Sequence, residues 1–155
     1  MDIPTGISLD HLEKHSNLLA DSFHRLVGRP LVETKGHASI TEALFNAPFV
    51  VVSHGLEDDP LLNYGNAIAL ELWEMNWDEL TSTPSRQTAE PANQQERAEA
   101  MARVKEAGFT EGYSGIRISK SGRRFLINDT VIWNVTTADK IYCGQAATFA
   151  SWTFL

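Results

Sequence analysis

The stretch SHGLEDDPLLNYGNAIALELW, residues 53–73, sets a histidine, an acidic run, two asparagines and a tyrosine between apolar segments. Those residue types could do chemistry. His54 could serve as a general base with Asp58 or Asp59 orienting it, or all three could hold a metal ion. Either reading needs the three side chains to converge in space. The same residues also have a simpler use. Asp58, Asp59 and Pro60 are turn-forming types, and Asn66 stands where a helix N-cap belongs, because short polar side chains bond nearby backbone groups. The structural reading is the stronger one here, with Asn66 expected to be a cap.

Two further groups have reactive side chains. His11 and His15 are four residues apart, so on a helix they share a face. Two histidines do not close a metal site. They flank an apolar stripe, which favours solvated or helix-packing roles. Cys143 is the single cysteine. It cannot form an internal disulfide, and on a strand it reads as a small buried hydrophobe.

The elements that must position these residues follow from periodicity. Residues 8–27 read as an amphipathic helix, with Ser8 as cap, Asp10 at the positive end and Gly28 as stop. Leu9, Leu12, Leu19, Phe23 and Leu26 draw its apolar stripe. Residues 32–39 read as a linker, ITEALFNAP as a short helix ended by Pro48, and Phe49 to Val52 as a buried strand. LLNYGN suits a second short strand. AIALELWEM and WDEL suit helices, the latter with Asn76 and Glu79 as a capping pair. Residues 82–93 form a polar loop. Asn93 and Glu96 resemble a capping pair for the helix QQERAEAMARVKEA, closed by Gly108. Beyond it, KSG and TADK punctuate three antiparallel strands, with Asn128 and Asp129 as a bulge in the middle one.

Strict alternation in the last strand places Tyr142, Ala146, Thr148, Ala150, Trp152 and Phe154 on one face. Ile141, Cys143, Gln145, Ala147 and Phe149 fall on the other. Both faces are largely apolar, so both need cover. The middle helices can cover one, and the N-terminal helix or a partner subunit the other. The segregated order of helices and strands argues an α+β fold.

The bulk properties narrow the class. The chain has 155 residues, 43% hydrophobic and 21% charged, which suits one globular domain with one core. A net charge of −7 argues against a generic nucleic-acid or anionic-membrane surface. The start MDIPTGISLD is unlike a signal peptide, and APFVVV is far too short to span a bilayer. Together with the lone cysteine, these features point to the cytoplasm.

Two short strands, a run of helices and three strands is the order of PAS domains. More specifically, LLADSFHRLVGRPLV, LFNAPFVVVSHGLEDDPLLNYGNAIALELWEMNWDEL, GFTEGYSGIRISKSGRRFLINDTVIWNV and YCGQAATFASWTFL resemble the PAS-like MEKHLA domain family over roughly residues 9–155. The family occurs as stand-alone bacterial proteins of about this size and at the C-terminus of plant class III homeodomain–leucine-zipper regulators. This chain has no homeodomain, zipper or basic region and resembles the stand-alone type. The resemblance implies one domain over 1–155, with an N-terminal helix and linker over 1–36 and a PAS-like core over 37–155. It implies an antiparallel sheet of about five strands, with helices on one face and the N-terminal helix over the other.

The resemblance also implies a sensory or regulatory module, non-catalytic, that binds a small molecule in an internal pocket and acts through homodimerisation, without nucleic-acid or membrane partners. Two alternatives stand beside it: an interaction module whose core is filled by its own side chains, and a small enzyme using the cavity with His54 as base. Expected pocket residues are Trp73, Trp77, Phe109, Tyr113, Trp133 and Phe149 for shape. Arg86, Arg117, Asn134 and Gln145 could fix a polar ligand; Arg86 equally suits a surface loop, and Arg117 either the pocket or the covered outer face. Trp133 is equally suited to core, pocket wall or dimer face. The cofactor is unknown. No cysteine lies on the helices where flavin photoreceptors carry their reactive one. Residues 67–107 contain no histidine for a haem, and a non-covalent flavin stays open.

Overall fold

The structure, a computed structural model, describes residues 6–89 and 94–155. Helix α1 spans Leu9–Val27. The Ser8 side chain accepts from the His11 amide at its start, and Gly28 ends it in the left-handed conformation, φ 88°. Helix α2 (Ile40–Phe45), strands β1 (Val50–His54) and β2 (Leu62–Gly65), and helices α3 (Ala67–Trp73) and α4 (Trp77–Leu80) follow. A 3-10 turn at Ser85–Thr88 shapes the polar loop, and helix α5 covers Gln94–Ala107. The Asn93–Glu96 capping pair lies outside the residues whose side chains are described. Strands β3 (Phe109–Ile118), β4 (Arg124–Thr136), β5 (Tyr142–Phe149) and β6 (Ser151–Phe154) complete the chain.

The strands form one antiparallel sheet in the order β2-β1-β5-β4-β3, with β6 pairing with β4 beyond the end of β5. This is the expected α+β arrangement, and each face has its own core. On the outer face α1 lays Leu12, Leu19 and Phe23 against Val51, Tyr64, Val131, Trp133 and Val135. On the inner face α3 lays Ala69, Leu72 and Trp73 against Val50, Phe125, Ile127 and Phe149. Burying each large apolar side chain contributes roughly 1.5–3 kcal/mol, so the amphipathic stripe of α1 explains why it docks. Leu9, at the head of that stripe, stays 45% exposed.

Strict alternation fails at two points in the last strand. The register shifts where Val135 pairs with Gly144 and Thr136 with Tyr142. Cys143 therefore packs against the outer core that also holds Ala146, instead of facing away from it. The chain bends again at Ala150, between β5 and β6. Trp152 consequently meets Phe149 edge to face, with ring centroids 6.0 Å apart, and Phe154 meets Phe125 at 6.2 Å. Both aromatics thus join the inner face, not the Ala146 face. In β4 the expected irregularity is present: Asp129 has φ 49°, and the pairing with β3 is broken on either side of Tyr113.

Asn66 connects the first strands to α3. It is fully buried. Its Oδ1 accepts from Ala69 N–H at 3.3 Å and Val51 N–H at 3.1 Å. Its Nδ2 donates to Leu44 O at 3.2 Å and Phe49 O at 2.8 Å. One side chain therefore caps α3 and satisfies backbone groups of α2, β1 and the turn between them.

Candidate functional site

A cavity of about 110 Å³ lies between the inner face of the sheet and the α3, 3-10 and α5 segments. Trp73, Phe149, Ile127, Ile132 and Met101 give it apolar walls, and His54, Tyr113, Arg117 and Gln145 bring polar groups. Sites for drug-sized ligands run to roughly 300–1,000 Å³. The cavity is on the scale of a small molecule. A second depression, of about 320 Å³, lies between α5 and β3 and is lined by Glu99, Arg103, Glu111 and Tyr113. Its charged rim makes it a surface groove, so the inner cavity is the better candidate.

Five of the expected pocket residues meet there. Trp73 is buried, and its Nε1 donates to Thr88 O at 3.5 Å, tying the 3-10 turn over the cavity. The Arg117 guanidinium lies 5.7 Å from the Tyr113 ring centroid and donates to Ile116 O at 3.3 Å. The backbone bridge from Arg117 to Ala89 holds this edge of β3 to the loop. Gln145 donates to Asn134 Oδ1 at 3.4 Å. Phe149 also lines the wall.

The other expected residues stand elsewhere. Trp133 faces α1: its Nε1 donates to Ser22 Oγ at 3.1 Å, and its ring meets Phe23 edge to face at 4.9 Å. Phe109, which pairs with Trp133 across the sheet, also packs against the outer core. Trp77 packs edge to face on Tyr64 at 5.8 Å, in that same core. Asn134 does not line the cavity; it donates to Val104 O of α5 at 3.4 Å. Arg86 is on the surface, its Nε 3.1 Å from both carboxylate oxygens of Asp59.

The acidic stretch does not assemble into a base or a metal site. Nδ1 of His54 bonds Gly55 O at 3.1 Å, while Asp59 is engaged by Arg86. Among the described residues, no cluster of histidine, cysteine, aspartate and glutamate is placed to hold a metal. Glu57 is the residue that organises the turn, accepting from Leu61 N–H at 3.0 Å. Backbone hydrogen bonds, that of Leu61 foremost, hold its carboxyl below the ordinary range, and His54 adds a smaller electrostatic pull. The stretch is a hairpin turn followed by a helix cap.

The sequence matches the family model of the MEKHLA domain over residues 13–154. The chain belongs to the MEKHLA domain family. Its fold is also that of solved PAS and light-oxygen-voltage domains. A PAS domain from Colwellia psychrerythraea superposes with TM-score 0.58 at 13% identity, over 73% of this chain and 91% of that one. A light-oxygen-voltage domain studied with a flavin analogue gives 0.57 at 16% identity, over 73% and 82%. The light-state dimer of the fungal blue-light photoreceptor Vivid gives 0.58 at 11% identity, over 96% and 97%. At these identities the likeness shows the fold. No curated protein matches the sequence. This MEKHLA domain is a PAS-like module, of the general class to which sensory and regulatory domains belong. Among the described residues, no helix is long and apolar enough to cross a membrane.

A part-buried polar cluster of this MEKHLA domain lies on the other side of the sheet, under α1. His15 Nε2 is 2.9 Å from Ser53 Oγ, and Ser53 donates to Asn63 Oδ1 at 2.5 Å. A serine beside a histidine invites a nucleophilic reading. The proton count opposes it. The hydroxyl has one hydrogen and gives it to Asn63, so His15 must be the Nε2–H tautomer, donating to Ser53. It has no lone pair at Nε2 with which to take a proton from the serine. Ser53 is 2% exposed, which also keeps substrate away. Burial first, and then neighbouring His11, lower the His15 pKa from 6.5 to about 4. The Ser16 hydroxyl faces the Tyr64 phenol, and neither makes a well-formed hydrogen bond among the described residues. Burial pushes the Tyr64 phenol up, with Ser16 opposing. Each unmet group costs roughly 1–3 kcal/mol. The helical spacing of His15 and Ser16 beside Leu12 and Leu19 was the available signal for this cluster, but not for its partners on β1 and β2.

Proposed function

We propose that this MEKHLA domain is a non-catalytic cytoplasmic sensor that takes a small ligand into its inner cavity and reports occupancy through homodimerisation. The observation that carries this reading is the cavity itself. Aromatic and aliphatic walls are joined by the Arg117–Tyr113 pair on β3 and by Gln145 on β5, the mixture that small-molecule sites use for shape and orientation. The absence of convergence between His54 and the acidic turn favours binding over turnover. The Vivid structure, matched over nearly the whole chain, is of a dimer, which supports dimerisation as the output.

The test is release and occupancy. The purified protein is denatured and the supernatant analysed by mass spectrometry, in parallel with Ala147→Phe, which fills the cavity from β5. A defined small compound from the wild type alone, with a change in the dimer fraction by sedimentation when it is restored, supports the reading. An empty wild-type protein whose oligomeric state is the same as that of Ala147→Phe points instead to an interaction module.

A further inference from the structure

The cavity proposed above as the ligand site has a polarity that names the class of its ligand; the inference rests on that reading. Tyr113, Gly115 and Arg117 alternate along β3, so they share one face of the strand. That face is the inner one, because Gly115 pairs with Ile127 and Arg117 with Phe125, both in the inner core. Between the two long side chains stands a residue with none. A Cβ on Gly115 would lie 2.9 Å from the Tyr113 hydroxyl and 3.2 Å from Arg117 Nη1. Both polar tips therefore gather over one glycine, and both residues line the cavity.

Charge sets the sign of what fits. Among the described residues that line the cavity there is no aspartate, glutamate or lysine, while Arg117 brings a full positive charge. A guanidinium has several N–H groups, so Arg117 can keep its bond to Ile116 O and its other protein contacts while donating to a ligand. The Tyr113 hydroxyl makes no hydrogen bond among the described residues. A cationic ligand meets repulsion here, and a neutral one forgoes the charge-assisted bond. Beside the two donors the wall turns apolar at once: Ile127 lies across the strand pair from Gly115, and Trp73 and Phe149 pack in the same cluster. A phosphate would leave further oxygens against that wall. A carboxylate places both oxygens on one planar edge and carries its carbon chain away from them. We propose that the cavity takes a small apolar carboxylate, its oxygens held by Arg117 and Tyr113 over Gly115 and its carbon chain laid against Ile127, Trp73 and Phe149. Gly115 takes part by what it lacks, since a methyl group there displaces both donors without removing either.

The Trp73 indole N–H, which donates to Thr88 O over the cavity, is the reporter. Its proton–nitrogen NMR signal is followed at neutral pH while acetate, isobutyrate, isovalerate and benzoate are titrated, each beside its neutral amide. At least one acid should give a saturable shift, with its amide weaker by about tenfold or more. Tyr113→Phe and Gly115→Ala should each weaken the acid about tenfold, and Arg117→Gln about a hundredfold. Tyr113→Phe and Gly115→Ala decide the matter if Arg117→Gln fails to fold. Equal affinity for acid and amide, or acid binding unaltered in the β3 variants, overturns the carboxylate and leaves the cavity reading standing. A shift that persists in Ala147→Phe places the acid outside the cavity and overturns the proposal too. No saturable shift from any acid also overturns it. The cavity reading itself falls only if the amides are silent as well and the protein releases no compound.

Discussion

The indole Nε1 of Trp133 donates to Ser22 Oγ across 3.1 Å, inside a dry contact between β4 and α1. The Ser22 hydroxyl gives its own proton back to the helix, to Leu18 O at 2.8 Å, leaving a lone pair for the indole. Removing the serine oxygen leaves a buried N–H with no acceptor. Ser22→Ala should lower stability by about 1–3 kcal/mol, read as a shift of the urea midpoint at unchanged slope. A shift under about 0.5 kcal/mol would mean that water reaches the indole and that α1 is seated more loosely than described.

Asn66 should be far more sensitive than an ordinary cap. An exposed N-cap replaced by alanine costs about 1 kcal/mol. Here the same change removes the side-chain partner of Val51 N–H and Phe49 O as well as Ala69 N–H, and one acceptor bond of Leu44 O, which keeps Ala47 N–H at 3.4 Å. Asn66→Ala should cost about 3 kcal/mol or more by chemical denaturation. Asn66→Asp keeps the acceptor but loses both donated bonds and buries a charge, so it should not rescue. A loss near 1 kcal/mol would reduce Asn66 to a simple helix cap.

Gly144 has a conformational reason to be glycine that no motif announces. Its φ is 141°, and a Cβ there would lie 2.0 Å from the His54 carbonyl oxygen on β1. Backbone cannot swing aside as a side-chain tip can. Gly144→Ala should cost about 3 kcal/mol or more. Gly122, in the β3–β4 turn at φ 89°, has nothing within 4 Å of the same position. Gly122→Ala should therefore cost only about 1–2 kcal/mol. Equal thermal shifts for the two variants would argue against the close β1–β5 approach.

Arg86 pairs with Asp59 where both side chains are at least half exposed. Such pairs contribute about 0–1 kcal/mol. Arg86→Ala should leave the unfolding midpoint nearly unchanged and leave any compound released from the cavity unaltered. Loss of that compound on Arg86→Ala would place the arginine in binding and contradict its surface position.

The fold was legible because its signals are local and repeated. The Ser8, Asn66 and Asn76 caps, the Gly28 stop and the stripe of α1 each report on a few neighbouring residues, and each is seen in the structure. The candidate site was legible only in part. Arg117 and Gln145 face the cavity as alternation allows, but alternation cannot say which face of β4 meets which helix, so Trp133 stayed ambiguous. It broke down at Cys143 and Ala150, where a register shift and a bend move Trp152 and Phe154 to the other face. His15 was visible as a helix-packing residue. Its bond to Ser53 spans 38 positions and depends on how α1 crosses the sheet, which no local pattern encodes.

The bonds made by Asn66 also imply an order of assembly. They join residues no more than 22 positions apart, from Leu44 to Ala69, and complete a strand–turn–helix block within one short length of chain. β1 and β5, by contrast, meet across 98 positions. Closing a short loop sacrifices less chain entropy than closing a long one. The block around Asn66 is thus the natural nucleus of this domain. The β1–β5 seam closes late, and the chain becomes a single sheet only when its last third arrives.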